Sequence, residues 1–207
     1  EVAREDDDDY TILRCSFAHC PGDAVSVPWN ATYAPAIERL FGVEGAYILG
    51  YNSEDYDLPR IAQYMQIRGV SLDCMLAWHV LNTAMPKALG FVAPFYIKNW
   101  GMWKHLAKVE GQEAYYNARD ADACLRCWMG IKEDLKANRL WGVFEEHVVK
   151  LNEVLSYMSR QGVLLDQDAR NAAEVKLDIL LTEINERIQQ AVPQQARQFK
   201  VYKKEPK

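Results

Sequence analysis

The sequence predicts an α/β protein in which short strands come early and helices come late. Two observations carry this prediction. Apolar residues alternate in part with polar ones over the first fifty positions and are interrupted by turn signals, a pattern typical of strands. Beyond about residue 60 the apolar residues recur at helical spacing. This order predicts a mixed sheet flanked by helices, followed by a helical extension.

The first part of the chain contains the predicted strands. Glu1–Asp9 is rich in acidic residues and is predicted to be a solvated loop. Tyr10–Cys20 and Ala24–Trp29 are predicted to be the two strands of a hairpin, because Pro21-Gly22-Asp23 between them is a turn signal.

One more strand and a series of helices complete the prediction. Ala46–Leu49 is an apolar run that predicts a short buried strand. A helix before it is predicted to end at Gly42. Helical spacing predicts helices near residues 35–41, 60–68, 72–83, 86–96, 100–108, 111–137, 140–161 and 167–191.

Length and composition limit the function classes. The 207 residues, 49% of them apolar, are enough for one domain of common size with a helical extension. A net charge of −5 argues against broad electrostatic binding of nucleic acid but leaves room for a small site that holds a few nucleotides through metal ions. No apolar run reaches the length of a membrane span, and the acidic start is unlike a signal peptide. Five cysteines predict reduced thiols and a cytoplasmic location.

The central motif follows the predicted strand at 46–49. It has the form Asn-x-x-x-Tyr-Asp, with Asn52, Tyr56 and Asp57 at the fixed positions. We expect Asp57 to lie just past a strand, at the start of a helix. A carboxylate in that position is suited to face a cleft and hold a cation.

A second motif, Tyr-x-x-x-Asp, lies within the long predicted helix at 111–137. Its fixed residues are Tyr116 and Asp120. Because positions i and i+4 of a helix share a face, both side chains are predicted to point into one site. Asp122 is off that face, and we predict it to be a surface or capping residue.

In this order the two motifs resemble the second and third exonuclease motifs of the 3′–5′ proofreading domain of family A (DNA polymerase I-like) DNA polymerases. Asp73–Asn82 and Met85–Ala93 resemble the segment between those motifs, and Glu145–Asp166 resembles the helical start of the polymerase domain that follows. The resemblance implies a ribonuclease H-like exonuclease domain over residues 1–138 and the start of the polymerase domain over 139–207. It also implies a bacterial or phage-infected cell as the setting.

The activity implied by the resemblance is removal of 3′-terminal nucleotides from single-stranded DNA ends by hydrolysis with two divalent ions, Mg²⁺ or Mn²⁺. Asp57 and Asp120 would be metal ligands, and Tyr116 would orient the attacking water. Asn52 would contact the terminal nucleotide or support the turn. Independently of the resemblance, the aromatic and basic stretch Phe95–Leu106 predicts either a nucleic-acid groove lined by Lys98 and Lys104 or a core helix with solvated lysines. The expected partners are the DNA end and the rest of the polymerase, without a membrane.

The first exonuclease motif of the family, Asp-x-Glu on the first strand, is missing from the chain. Three explanations stay open. Glu1 is the glutamate of that motif and a third metal ligand, the motif has been lost naturally, or the chain starts past it. Polymerase signatures are also missing, so we expect a fragment or a split subunit that does not polymerise by itself.

Two other functions compete with this one. The chain could be a non-catalytic scaffold that only supports a polymerase, which the missing first motif favours. It could also be an exoribonuclease similar to RNase D, which the polymerase-like stretch at 145–166 opposes.

Several residues with metal-ligand chemistry have plainer interpretations. Asp73 is at a predicted helix start and is expected to be an N-cap. Cys124 and Cys127, together with Cys15 and Cys20, have spacings compatible with zinc. Because Cys124 and Cys127 lie on the apolar side of a predicted helix, buried thiols are the favoured interpretation.

Overall fold

The computed structural model describes the backbone at residues 2–6 and 9–193 and the side chains from residue 11 to residue 193. The chain forms two compact units, Glu1–Arg160 and Gln161–Lys207. The protein is of the α/β class, with small sheets and a majority of helical residues, as the sequence predicts. The boundary predicted at 138/139 separates two functional regions, nuclease and polymerase, and it stays a prediction.

The first four strands form two antiparallel pairs. β1 (Val2–Asp6) pairs with β2 (Asp9–Ile12), so the loop predicted over residues 1–9 is wrong for residues 2–6. β3 (Arg14–Cys20) and β4 (Asp23–Pro28) form the predicted hairpin. The predicted first strand of that hairpin is divided in two, because β2 ends at Ile12 and β3 begins at Arg14.

The remaining two strands are parallel. β5 (Tyr47–Gly50) is the strand predicted from the apolar run, and it pairs with β6 (Val70–Asp73) so that Gly50 lies opposite Asp73. β6 falls partly inside the helix predicted over 72–83. The described strands therefore make three two-stranded sheets rather than the single mixed sheet that the sequence predicts, because no backbone ladder joins one pair to the next.

Helices cover most of the chain after residue 56. The helix predicted near 60–68 is a single short one, the helix predicted over 72–83 begins only after β6, and the segment near 100–108 is a 3₁₀ turn. The others agree closely with the prediction. Their bounds are α1 (Ala34–Phe41), α2 (Asp57–Ile61), α3 (Cys74–Leu81), α4 (Leu89–Tyr96), a 3₁₀ helix (Lys104–Lys108), α5 (Glu113–Ala137), a π-helix (Val143–Val149), α6 (Lys150–Gln161) and α7 (Gln167–Ala191).

The first unit has two apolar cores. The larger one is built around α5, which packs against α3, α4 and the β3–β4 hairpin. Cys127, Ile131 and Leu135 of α5 are fully buried there, with Phe144 of the π-helix. The smaller core joins the hairpin to α1 and α2 through Ile37, among others. Through these contacts α5 holds Tyr116 and Asp120 on a rigid support.

The two cysteines of α5 are buried thiols, as the sequence predicts. Cys124 and Cys127 are buried and free. Cys15 is buried in the smaller core. Among the residues that the structure describes, no group of three metal-ligating side chains contains more than one of the four cysteines with zinc-compatible spacings. Among the described helices, none is both long and apolar enough to cross a membrane.

Candidate active site

The loop after β5 turns sharply at Asn52. Asn52 adopts a left-handed backbone conformation, with φ of 57°, and its N–H donates to Asp73 Oδ1 over 3.0 Å. A Cβ added at Gly50 would lie 2.1 Å from Ser53 Oγ, so any side chain there would displace the loop. Asn52 thus supports the turn, which is one of the two roles expected for it.

Asp73 is a buried carboxylate that holds this loop to α3. It is 4% exposed and lies at the carboxyl end of β6. Oδ1 accepts from Met75 N at 2.8 Å and from Leu76 N at 3.4 Å, which makes Asp73 the predicted N-cap. Burial raises its pKa, while hydrogen bonds from backbone amides, including those of Asn52 and Glu54, oppose that effect.

Asp57 is the first residue of α2, at the position the sequence predicts. The residue is exposed, yet protein around the carboxylate excludes enough water to raise its pKa. The charges of Asp73 and Asp120 raise the pKa further, and that of Arg60 lowers it. Asp57, at the start of α2, is thus influenced by the charges of Asp73 at the end of β6 and of Asp120 in the middle of α5.

Tyr116 and Asp120 lie one turn apart on α5 and face the same neighbours. Lys104 Nζ donates to Asp120 Oδ1 at 2.7 Å and Oδ2 at 2.9 Å, and it lies 3.3 Å from the Tyr116 hydroxyl. Trp103 Nε1 donates to Asp120 Oδ1 at 2.6 Å. The structure thus brings Tyr116 and Asp120 together on one face, with a lysine bridging them.

The Tyr116 hydroxyl keeps its proton over a wide pH range. Partial burial raises its pKa, and the charge of Asp120 raises it further, while Lys104 lowers it. A neutral hydroxyl that accepts from Lys104 still has its own proton to donate. Tyr116 can therefore orient a water molecule or a substrate oxygen.

The donor chemistry of Asp57 and Asp120 suits a hard divalent cation, since both offer carboxylate oxygens. Burial is the main cause of the raised pKa of Asp57, and the charge of Asp120 adds to it, so a cation bound beside Asp57 would favour its charged form. The described part of the chain does not, however, bring three carboxylates to ligand distance here. Glu1, the predicted third ligand, lies outside the described residues.

Lys98 lies elsewhere on the first unit. It is exposed and lines a surface cavity with Pro21, Arg126 and Met129. The structure records no contact of Lys98 with the Tyr116 and Asp120 face, so only Lys104 of the two predicted groove lysines is brought to the site.

For two acidic residues, the structure extends or corrects the role that the sequence predicts. Asp73 is an N-cap, but it also belongs to the acidic group around Asp57. The signal for this was its position at the end of a second parallel strand, since such ends share one edge of a sheet. Asp122 is 6% exposed rather than on the surface. It accepts from Gly22 N over 2.8 Å and from Arg126 Nε over 3.0 Å.

Comparison with known proteins gives no family assignment. Neither a protein-family model nor a curated protein sequence matches this chain.

Proposed function

We propose that the chain is the 3′–5′ exonuclease region of a family A DNA polymerase, which removes 3′-terminal nucleotides from DNA by phosphodiester hydrolysis. The observation that supports this most is geometric: Tyr116 and Asp120, one turn apart on α5, both lie against Lys104 Nζ, and Asp57 begins α2 at the position that its motif predicts. Asp57, Tyr116 and Asp120 are the three residues to which the two sequence motifs assign the chemistry.

Each residue has a role in this proposal. Asp57 and Asp120 would supply carboxylate oxygens to divalent ions, Mg²⁺ or Mn²⁺, and further carboxylates would have to come from outside the two motifs. When bound, such ions lower the pKa of a water molecule and stabilise the leaving 3′ oxygen. The neutral Tyr116 hydroxyl orients the attacking water. Lys104 is close enough to Asp120 to reach a phosphate bound there.

The architecture supports the same proposal. The parallel pair β5–β6, with Asp73 at the carboxyl end of β6, and the antiparallel hairpin packed on α5 are parts that a ribonuclease H-like mixed sheet needs. Leu151, Val154, Leu155 and Met158 of α6 are exposed, and so are many apolar residues of α7, which supports the remaining polymerase domain as their partner.

A second candidate is a non-catalytic exonuclease-like scaffold. It is favoured by the ion pair between Lys104 and Asp120, which occupies both carboxylate oxygens. A lysine in that position neutralises the acidic group without a metal. The two proposals differ in whether a divalent ion displaces Lys104.

Substrate polarity tests the proposed activity. The chain is incubated with Mg²⁺ and single-stranded DNA labelled at the 5′ end, with a circular single-stranded DNA and with an RNA of the same sequence as controls. The proposal predicts a ladder shortened from the 3′ end of the linear DNA, with the circle intact. Preferential degradation of the RNA would favour the RNase D-like alternative, and no degradation of any substrate would favour the scaffold or a need for the first motif.

An extended form of the chain distinguishes the scaffold from a need for the first motif. An N-terminal strand carrying Asp-x-Glu is added to the chain, and the same assay is repeated. Recovered activity would mean that the residues of this chain complete an active site once the first motif is supplied, whereas continued inactivity supports the scaffold.

A further inference from the structure

The tip of the β3–β4 hairpin carries a second group of metal-ligating side chains, which the proposed nuclease site does not use. His19 and Cys20 end β3, and Asp23 begins β4. One ligand atom from each of the three side chains lies within 4.8 Å of the other two. In the described part of the chain this is the one such grouping of three histidine, cysteine or acidic side chains.

A β-bulge creates this group. Consecutive side chains of a regular strand point to opposite faces of the sheet, so His19 and Cys20 would normally diverge. The pairing register shifts between Ala18 and Cys20, and a bulge re-aims the side chains around it. As a result His19 Nε2 lies 3.6 Å from Cys20 Sγ, and Nδ1 of the same ring lies 3.7 Å from Asp23 Oδ2.

The turn between Cys20 and Asp23 is held in place by a hydrogen bond to α5. Gly22 has a φ of 89°, which favours glycine, and its N–H donates to the buried Asp122 of α5. Asp122 also pairs with Arg126, so the nearby guanidinium is already neutralised. Because the hairpin is held to a rigid helix, little conformational freedom is lost when a ligand binds at its tip.

The chemistry of the three donors selects the ion. A thiolate, an imidazole and a carboxylate together suit Zn²⁺, whereas Mg²⁺ prefers oxygen ligands alone. Tetrahedral Zn²⁺ with a Zn–S bond of about 2.3 Å and a Zn–N bond of about 2.0 Å places sulfur and nitrogen about 3.5 Å apart. The 3.6 Å separation of Cys20 Sγ and His19 Nε2 matches that value, so the ion would bind His19 through Nε2. Asp23 lies against Nδ1 of the same ring and would reach the ion by a change of side-chain rotamer, within the 4.8 Å over which the three ligand atoms are grouped.

We propose that His19, Cys20 and Asp23 form a Zn²⁺ site at the hairpin tip, with water as the fourth ligand. The ion would link Cys20, the last residue of β3, to Asp23, the first residue of β4, and so stabilise the hairpin against which α5 packs. His19 and Asp23 are 78% and 62% exposed, which leaves the entry path open. This site is separate from the proposed nuclease chemistry and does not depend on it.

Cys20 provides a clean readout, because it is the exposed cysteine among five free ones. The other four are buried: Cys15, Cys74, Cys124 and Cys127. A thiol reagent applied to the folded protein should therefore modify Cys20 first. A bound Zn²⁺ ion should protect it, since a coordinated thiolate is a poorer nucleophile.

The test uses the whole chain without a polyhistidine tag, reduced and free of metal. Co²⁺ is titrated as a spectroscopic substitute, Zn²⁺ is then added to displace it, and alkylation of Cys20 is timed with and without Zn²⁺. We expect one equivalent of Co²⁺ to give a thiolate-to-metal charge-transfer band that Zn²⁺ removes. Zn²⁺ should also slow the alkylation.

Variants at the tip decide the assignment. Cys20→Ser should abolish the band, and His19→Gln or Asp23→Asn should lower the Zn²⁺ affinity by about tenfold or more. His147→Gln, at an exposed histidine of the π-helix, is the matched control and should bind as the native chain does. A missing thiolate band, or native affinity in both His19→Gln and Asp23→Asn, would overturn the proposal. Asp57→Asn should leave Zn²⁺ binding unchanged, so that this test and that of the nuclease can fail independently.

Discussion

Lys104 donates hydrogen bonds from its ammonium group to both carboxylate oxygens of Asp120, over 2.7 and 2.9 Å. The lysine comes from a short 3₁₀ turn and the aspartate from the middle of α5. The side chains are 40% and 27% exposed, so solvent screens the pair only in part. A metal ion that binds Asp120 has to compete with this lysine.

Replacing Lys104 should therefore tighten divalent-ion binding. We expect Lys104→Met to lower the dissociation constant for Mn²⁺ by about two- to fivefold, because a partly exposed ion pair is worth about 0.2–1 kcal/mol. The free Mn²⁺ signal in electron paramagnetic resonance measures this constant. Lys108→Met, on the same 3₁₀ turn, is the control, and equal constants for the two variants would mean that Lys104 does not compete.

Removing the charge of Asp57 should stabilise the fold at neutral pH. Its pKa is raised in the folded protein, so its contribution to folding is present below the ordinary value of 3.8 and is lost as the pH rises through the folded pKa. Asp57→Asn should then be more stable than the native chain at pH 7, by only about 0.5 kcal/mol because solvent screens an exposed group. Urea unfolding at pH 7 and pH 3 measures this, and a difference that fails to shrink at pH 3 would contradict it.

Asp73 should matter for stability through its hydrogen bonds. Asp73→Ala leaves buried backbone amides of the loop and of α3 without an acceptor, and we expect it to lower the free energy of unfolding by about 2 kcal/mol. Asp73→Asn keeps an acceptor oxygen and should cost clearly less. Equal losses in the two variants, measured by urea unfolding, would show that the amides do not depend on this side chain.

Asp122 should anchor the hairpin to α5. Asp122→Ala removes the acceptor for Gly22 N–H and the partner of Arg126, and we expect a loss of about 1–3 kcal/mol. Hydrogen exchange at Gly22 should rise in this variant. Asp122→Asn retains an acceptor and should protect Gly22 better, so native protection of Gly22 in Asp122→Ala would contradict the anchoring role.

The sequence was sufficient to predict the features that depend on local pattern. The turn signal at 21–23 predicted the hairpin, and the apolar spacing predicted α5 with Tyr116 and Asp120 on one face. β6 was missed because its four residues run directly into α3, so strand and helix patterns merge. The helix predicted near 60–68 ends at Ile61. Met65 is buried although it lies beyond the last helical turn.

Contacts between distant segments account for the rest. The burial of Asp122 depends on a hairpin turn 100 residues away, and nothing local to α5 indicates that partner. The sequence predicts Lys104 as a groove residue, but its pairing with Asp120 requires the chain between them to fold back on α5. The tip of the hairpin was missed as a ligand group because strict alternation separates His19 from Cys20, and only the bulge joins them.

The most direct test of the account is degradation of 5′-labelled single-stranded DNA with Mg²⁺ by the native chain and by Asp57→Asn and Asp120→Asn. Asp55→Asn is the matched control, since Asp55 is an exposed aspartate of the same loop. We expect 3′-end shortening by the native chain and by Asp55→Asn, and its loss in both Asp57→Asn and Asp120→Asn. Shortening that persists in either of those two variants would contradict the claim that Asp57 and Asp120 form one active site.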